Sequence, residues 1–439
     1  MVYLLLNIIS IPSLWLSKYL FKKWINPLSV YVIIWYFLIS FYHLKLINYN
    51  DLSFETWYII IITYIAYLLG ITTYFIANNT NTDKKSRKNI KNSQKLSILF
   101  ENSQISFYLT LCFGIIGLIG ALQAWTVLLK LYGTVTEILL HLGALYQMRV
   151  RGDLEGMLPY TSIFSYAGIF FAGINSGIKG KITLISIIPL GALIIKEIAI
   201  VGRAGILFGF IEYGLVFLFV ILYLNERKIK SKNSKTKLIV TTLLALVLFI
   251  GSITFIKNLR GGHKTFTGQT RSIQKMEDSI FITPSIYLYL SAHIGVLNKY
   301  LEMNNEEMRF GENTFQFVYN ILSKFNIVQK PSGYQKGYYI PVWVNTGTFI
   351  RELLVDFGIH GLLIFVFLLG LSITLCWVQF FDNSKLIYFA ILIFLFIIVA
   401  FSFLMMITRL ANWFLSLGLI LITLNIIDRF NSYRKEVDK

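Results

Sequence analysis

Two carboxylates and an imidazole recur at intervals of four residues near position 356. Glu352, Asp356 and His360 would share one face of an α-helix at this spacing. A carboxylate or a neutral imidazole is suited to taking a proton from a hydroxyl group. The spacing therefore predicts a proton acceptor at the entry of a helix, with Asp356 as the first candidate. The competing explanation is structural, because a charge at membrane depth usually pairs with another charge, here Arg351 or a second arginine.

Cationic side chains at the edges of apolar segments form a second feature. Guanidinium groups bind phosphate oxygens bidentately and stay ionised at any accessible pH, so this set predicts an anionic partner such as a lipid-linked diphosphate. The alternatives are contact with phospholipid headgroups and pairing with Glu197, Glu352 or Asp356. The set comprises Arg149, Arg151, Arg203, Lys257, Arg260, Lys264, Arg271, Arg351 and Arg409.

Two further ionisable residues could take part in chemistry or transport. His263 lies beside Arg260 in the glycine-broken stretch LRGGHKTFTG and is a second candidate base. Glu212 lies within an apolar run and must face protein or water there, as in a transporter. The sequence has no zinc-ligand spacing, P-loop or dinucleotide fingerprint, so we predict no cofactor.

The composition places these residues in a membrane protein. Of 439 residues, 56% are hydrophobic and only 14% are charged, which is too apolar for a water-soluble domain. Apolar runs of roughly 18 to 22 residues can each cross the hydrocarbon core, so we predict an all-α, polytopic bundle of about eleven spans. The predicted spans are Val2–Tyr19, Leu28–Ile47, Trp57–Ile76, Ile105–Leu131, Tyr160–Ile174, Ile182–Ile195, Ala204–Leu224, Leu238–Phe255, Leu353–Trp377, Ile387–Met406 and Trp413–Ile427.

The net charge of +18 is explained by basic loops and not by nucleic-acid binding. We predict that residues 1–256 hold spans one to eight, with basic cytoplasmic loops at 79–104 and 225–237. Residues 257–348 then form a large extracytoplasmic loop, and residues 349–439 hold spans nine to eleven and a basic cytoplasmic tail. A short helix capped by Thr134 is predicted after the fourth span.

The long loop has two helical patterns of its own. The first begins at Thr283 and Pro284 and reads SIYLYLSAHIGVLNKYLE, which predicts a helix lying on or dipping into the outer leaflet. The second places Phe315, Val318, Leu322 and Phe325 at helical spacing, which predicts an interfacial amphipathic helix. Packing of both helices against the outer mouth of the bundle is the alternative.

Several stretches of the sequence resemble O-antigen polymerases of the Wzy type, also called oligosaccharide repeat unit polymerases. These stretches are VGRAGILFGFIEYG from Val201, NLRGG at the start of the long loop, SIYLYLSAHIGVLNKYLE and NTGTFIRELLVDFGIHGLLIFVFLLGL. Arg203 and Gly214 also have the Arg-x10-Gly spacing found in some members. The resemblance covers about residues 200 to 375 and the overall layout.

The resemblance implies a membrane-embedded glycosyltransferase with a type C fold, acting at the periplasmic face of the bacterial inner membrane. Such enzymes join repeat units carried on undecaprenyl diphosphate and need neither a metal nor a nucleotide sugar. Donor and acceptor glycans, membrane lipids, a chain-length regulator and a flippase are the implied partners. The implied ligands of the donor diphosphate are Arg203, Arg260, Arg351 and Arg409, and Asp356 or a histidine activates the acceptor hydroxyl.

Three alternatives belong to other functional classes. An O-antigen ligase would share the architecture and the donor but pass the glycan to lipid A core. A lipid-linked oligosaccharide flippase would need charges along a path through both leaflets and two related halves, whereas here the polar mass lies on one side. A membrane scaffold without enzymatic activity would need no cluster of outer arginines.

Overall fold

The computed structural model describes residues 2–79, 98–151, 156–202, 204–227, 284–303, 306–332 and 335–437. This part of the chain is helical except for connecting segments and one short hairpin of β1 (Tyr338–Tyr339) and β2 (Trp343–Val344). The prediction of an all-α fold is confirmed. The helices are α1 (Val2–Phe21), α2 (Pro27–His43), α3 (Phe54–Asn79), α4 (Ile98–Glu101), α5 (Ser103–Tyr132), α6 (Val135–Leu140), α7 (Leu142–Arg151), α8 (Ser162–Lys179), α9 (Ile187–Ala199), α10 (Ala204–Glu226), α11 (Pro284–Met303), α12 (Gln316–Lys324), α13 (Phe349–Phe381), α14 (Leu386–Phe401) and α15 (Ala411–Val437).

Six helices among the described residues are long and apolar enough to cross a membrane, namely α1, α3, α5, α10, α13 and α15. Two shorter apolar helices, α2 and α14, coincide with further predicted spans. The predicted spans near residues 160 and 182 correspond to α8 and α9, which are helical but do not meet the same criteria. The span predicted at Leu238–Phe255 lies outside the described residues. The count of about eleven therefore stays a prediction.

The helices form two compact units. Unit one comprises the described parts of Met1–Ser93, Phe266–Gln379 and Phe394–Leu410. Unit two comprises those of Gln94–Thr265, Phe380–Ile393 and Ala411–Lys439.

In unit one, α3 and α13 touch through their backbones. A Cβ atom on Gly70 would lie 2.1 Å from the carbonyl oxygen of Phe367, and one on Gly370 would lie 2.4 Å from that of Tyr67. Small residues allow apolar helices to approach this closely where lipid supplies no hydrophobic driving force between them. The two glycines therefore fix α13 against α3.

An aromatic cluster surrounds the first residue of α13. The rings of Tyr31 and Tyr67 stack at 4.6 Å, and the ring of Trp35 lies 6.2 Å from that of Phe349. The indole nitrogen of Trp35 donates to Ser402 Oγ at 3.1 Å, and the backbone N–H of Phe349 donates to the Ser402 carbonyl at 2.9 Å. The core of unit one thus holds the entry of α13 in a fixed place.

Helix α11 is a buried component of unit one, and its residues 291–298 are all buried. Tyr287 donates to the Phe41 carbonyl at 2.7 Å, and Asn298 Oδ1 accepts hydrogen bonds from Ser53 N and Thr56 Oγ1, both at 2.7 Å. These bonds attach α11 to the end of α2 and the start of α3. The contacts favour the alternative of packing against the bundle over a position on the outer leaflet.

Helix α12 is shorter than the predicted amphipathic pattern. It begins only at Gln316 and ends at Lys324, so Phe315 and Phe325 flank it, with exposed fractions of 45% and 71%. Large apolar side chains exposed beside polar ones are typical of a membrane interface. The interfacial position itself stays a prediction.

In unit two, α8 is buried along almost its whole length. A Cβ atom on Gly173 or Gly177 would come within 2.7 Å of Val216 or Val220 on α10, so α8 and α10 are in close contact. The predicted cap is present at the start of α6, where Thr134 Oγ1 accepts the Glu137 N–H at 3.2 Å.

The long helix α13 is broken at Gly358. This glycine has φ 63° and ψ −169°, a conformation that is essentially restricted to glycine. The residues before and after it therefore belong to different helical segments. The prediction that Glu352, Asp356 and His360 share one helical face fails at this break: the first two are buried, and His360 is exposed.

We expect Gly358→Ala to lower the free energy of unfolding by about 1 to 3 kcal/mol, because alanine strongly disfavours this backbone conformation. Thermal unfolding of the purified protein in detergent measures the change. Gly418→Ala is the matched control, since a Cβ at that position in α15 meets no atom within 4 Å. Equal melting temperatures for the two variants would contradict the requirement for glycine at 358.

Candidate active site

Three charged side chains are buried within the first two turns of α13. The exposed fractions of Arg351, Glu352 and Asp356 are 1%, 1% and 0%. A buried charge is tolerated when it is paired and hydrogen-bonded. Each of the three satisfies this requirement through a different segment of unit one.

Arg351 is surrounded by acceptors from residues 306–336. Its NH2 group donates to Glu306 Oε1 at 2.7 Å and to the Lys336 carbonyl at 2.8 Å. Its guanidinium carbon lies 5.0 Å from the ring centre of Tyr338. Tyr338 donates its hydroxyl to the same Glu306 oxygen at 2.6 Å. Burial is the largest cause that raises the pKa of Tyr338, and this hydrogen bond raises it further. The hydroxyl therefore remains a donor at neutral pH.

Glu352 connects α13 to the segment that follows α14. Its Oε2 accepts the Met406 N–H at 2.9 Å, and its Oε1 lies 3.6 Å from NH1 of Arg409. Arg409 lies in a short 3₁₀ turn, Ile407–Arg409, and its Nε donates to Gln316 Oε1 at 3.2 Å. Arg409 therefore links this turn to α13 through Glu352 and to the first residue of α12 through Gln316.

Asp356 accepts four hydrogen bonds, two at each oxygen. Oδ1 accepts from the backbone and side-chain nitrogens of Asn313 at 3.0 and 2.9 Å. Oδ2 accepts from the backbone nitrogen and the hydroxyl of Thr314, both at 2.7 Å. Four donors fill the ordinary hydrogen-bonding capacity of a carboxylate. This geometry anchors the segment before α12, and the role of Asp356 as a base stays a prediction.

The break in α13 provides a further anchor for the same segment. In a continuous helix the Val355 carbonyl would accept from residue 359, but Gly358 interrupts that pattern. Instead Val355 accepts the N–H of Arg309 at 2.9 Å. The backbone of residues 309–314 is therefore bonded directly to the end of the first segment of α13.

An open cleft with about 590 Å³ of free space lies beside the Arg351–Glu306 pair. Its lining contains both signs of charge as well as aromatic rings. Glu306 and Lys336, which form part of the Arg351 site, are also part of this lining. The complete lining is Glu306, Glu307, Met308, Arg309, Phe310, Glu312, Tyr319 and Lys336.

His293 holds the residues that lead into α13. Its Nδ1 lies 3.1 Å from both the carbonyl and the hydroxyl of Thr346, and its Nε2 lies 3.0 Å from the Tyr289 carbonyl. Burial lowers the pKa of His293 to about 4, although its hydrogen bonds act in the opposite direction. The ring is therefore neutral at physiological pH, and its role is to hold the backbone that leads into α13.

Unit two contains the buried carboxyl group of Glu212 in α10. Its exposed fraction is 3%, and one of its oxygens has no hydrogen-bond partner among the described residues. Arg149 donates to the Ile200 carbonyl at 3.0 Å in the same unit.

The structure brings together some of the predicted site residues. Arg351, Glu352, Asp356 and Arg409 surround the entry of α13, whereas His360 lies beyond the break and is exposed. Direct binding of a diphosphate by Arg351 conflicts with its burial and its pairing with Glu306. Further predicted residues lie outside the described part, namely Arg203, Lys257, Arg260, His263, Lys264 and Arg271.

The cleft was not predicted from the sequence. Its carboxylates come from NNEEMRFGEN, which places Glu306, Glu307 and Glu312 within seven residues. This density of acidic groups, in a chain with only 22 of them, was an available signal. The pairing of Glu306 with Arg351, 45 positions later, left no local pattern.

Comparison with models of protein families, with curated proteins and with solved structures found no match to this chain.

We expect Asp356→Asn to lower the free energy of unfolding by about 1 to 3 kcal/mol, because the amide group places N–H donors against N–H donors. Chemical unfolding in detergent measures the change. Asp51→Asn is the matched control within unit one, since the Asp51 side chain is 82% exposed and pairs with Lys45 on the surface. We expect no measurable change in the control. An equally stable Asp356→Asn protein would contradict the anchoring role.

The buried His293 predicts a pH dependence of stability. The unfolded chain binds a proton near pH 6.5, whereas the folded chain does so only near pH 4. Stability is therefore complete above pH 6.5, falls as the pH drops from 6.5 to 4, and loses at most about 3 kcal/mol from this group. His293→Gln should flatten this part of the stability curve. An unchanged slope in the variant would assign the acid sensitivity to other groups.

Proposed function

We propose that the chain is a membrane glycosyltransferase that joins oligosaccharide repeat units carried on undecaprenyl diphosphate into a polysaccharide of the O-antigen or capsule type. In this proposal the protein lies in the bacterial inner membrane, and its site faces the periplasm. Three features support it. They are the apolar helices, the sequence stretches that resemble Wzy-type polymerases, and the arrangement of charges at the start of α13.

The observation that carries the proposal is the open cleft beside the entry of a helix long and apolar enough to cross a membrane. Its free space of about 590 Å³ is in the range of small-molecule sites. Its mixed lining of carboxylates, cations and aromatic rings contains donors and acceptors for a hydroxyl-rich substrate. Such a site, close to lipid, suits a glycan attached to a membrane anchor.

In the proposed reaction, a hydroxyl of the acceptor sugar attacks the anomeric carbon of the donor glycan, and the lipid diphosphate leaves. The diphosphate ligands of this proposal are Arg203, Arg260 and Arg271, which lie outside the described residues. Arg351 holds the cleft residue Glu306, and Arg409 pairs with Glu352 at the entry of α13. Arginine suits the donor role because a leaving diphosphate gains negative charge in the transition state.

Purified protein in lipid vesicles tests the proposal directly. With undecaprenyl-diphosphate-linked repeat units from a producing strain as the sole substrate, we expect a ladder of longer glycans without any nucleotide sugar. Transfer only after the addition of lipid A core would identify a ligase. Movement of the units across the vesicle membrane without joining would identify a flippase, in which Glu212 is the residue to examine. Either result would replace the polymerase proposal.

Arg203→Ala tests the donor site in the same assay. We expect chain extension to fall by about 100-fold or more, since the variant loses a cationic contact to the leaving group. Arg429→Ala changes an exposed arginine of α15 and is expected to retain the wild-type ladder. A normal ladder from Arg203→Ala, at equal protein abundance, would remove this residue from the donor site.

A further inference from the structure

We propose that the cleft binds the acceptor sugar and that Glu306 takes the proton from its attacking hydroxyl. This inference rests on the proposed function and adds the second substrate site and a catalytic residue. It concerns only described residues of unit one.

The charges of the cleft select among ligands. Glu306, Glu307 and Glu312 face two cations, Arg309 and Lys336, so the lining has one more negative than positive charge. Arg351, which pairs with Glu306, cancels this difference, so the cleft offers a diphosphate no surplus of cations. A metal cation would compete with arginines, because Glu306 already pairs with Arg351 at 2.7 Å and Glu312 lies 3.6 Å from Arg309.

A neutral sugar meets neither obstacle. Its hydroxyl groups can donate to the carboxylates and accept from Lys336 or Arg309. Phe310 and Tyr319 add apolar ring surface, and the Phe310 side chain is 73% exposed. The Tyr319 hydroxyl donates to the Phe310 carbonyl at 2.8 Å, so these two residues are held together. The cleft therefore suits a carbohydrate better than a charged ligand.

Among the carboxylates, Glu306 has one oxygen held in place by two donors. Its Oε1 accepts from Arg351 at 2.7 Å and from Tyr338 at 2.6 Å, and its side chain is only 5% exposed. Its Oε2 makes neither of these bonds, while the residue lines the cleft. We assign the proton transfer to Oε2, because Oε1 is already held by Arg351 and Tyr338.

The other carboxylates are less suited to this role. Glu307 is exposed. Glu312 lies near Arg309 and accepts the Ser332 N–H at 3.2 Å, which ties it to the wall of the cleft. Asp356 has both oxygens occupied by Asn313 and Thr314.

The proposed step transfers the donor glycan to the acceptor hydroxyl. The O–H bond of the acceptor breaks and its proton passes to Glu306, while the oxygen forms a bond to the anomeric carbon of the donor. The bond between that carbon and the diphosphate oxygen breaks, and its electron pair leaves with the lipid diphosphate. Glu306 returns the proton to water after the product moves.

Two measurements on the full-length protein test this proposal. The first is binding of the repeat-unit oligosaccharide, released from its lipid by mild acid, followed by saturation-transfer NMR. The second is chain growth from lipid-linked units in vesicles. We expect Glu306→Gln to bind the free oligosaccharide within about threefold of wild type and to extend chains at least about 100-fold more slowly. Glu55→Gln, an exposed site in unit one, should match wild type in both.

Glu306→Asp covers the case in which the amide destabilises the protein. It keeps the negative charge near Arg351 but shortens the reach by one methylene, so chain growth should fall while binding of the free oligosaccharide stays within about threefold of wild type. Wild-type chain growth in either Glu306 variant would overturn the assignment of the base. A wild-type protein that extends chains but does not bind the free oligosaccharide would overturn the acceptor site and leave the proposed function intact.

A wild-type protein that binds the oligosaccharide but extends no chains would give the opposite result. The cleft would stand as a carbohydrate site, and both the polymerase function and the base role of Glu306 would fall.

Discussion

The arrangement of unit one depends on the cost of burying three charges in six residues. Arg351, Glu352 and Asp356 have almost no exposed surface, and an unpaired buried ion costs several kcal/mol. Each charge recruits a different partner, so residues 306–316 and 406–409 must both come to the entry of α13. Ion pairs and hydrogen bonds thus fix both segments at the entry of α13. Removing one partner would leave the other charge buried and uncompensated.

Gly358 gives α13 two roles. Before this residue the helix carries charges and supports the cleft; beyond it the helix is long and apolar enough to cross a membrane. The same break frees the Val355 carbonyl, which then accepts from Arg309. A continuous helix would satisfy that carbonyl internally and would lose one attachment of the segment that lines the cleft. The Val355 carbonyl, at the end of the first segment of α13, therefore also holds the cleft lining in place.

Much of the helical architecture follows from apolar run length. The predicted spans at Val2–Tyr19 and Ala204–Leu224 differ from α1 and α10 by two residues at one end, since length and polarity decide such helices. The position of α11 could not be predicted from its apolar run, because an apolar helix suits lipid and a protein core equally well. Gly358 was also missed, as a single glycine in an apolar pattern is usually tolerated in a helix.

The candidate site was predictable in part. The charges at the start of α13 stood out because they interrupt an apolar region, but their partners depend on contacts between distant segments. Glu306 and Arg351 are 45 positions apart, and Asn313 and Asp356 are 43 apart. No periodic pattern in the sequence indicates which distant residues will pair. Sequence patterns therefore identified the charged residues of α13 but not the residues that pair with them.

The hydrogen bond from Trp35 to Ser402 has a consequence for biogenesis. Its two ends are 367 positions apart, so a ribosome working at about 5 to 20 residues per second needs roughly 20 to 70 s to make the second after the first. During that interval α2 lacks its contact with Ser402. The final packing around the entry of α13 is consequently a late event in the assembly of unit one.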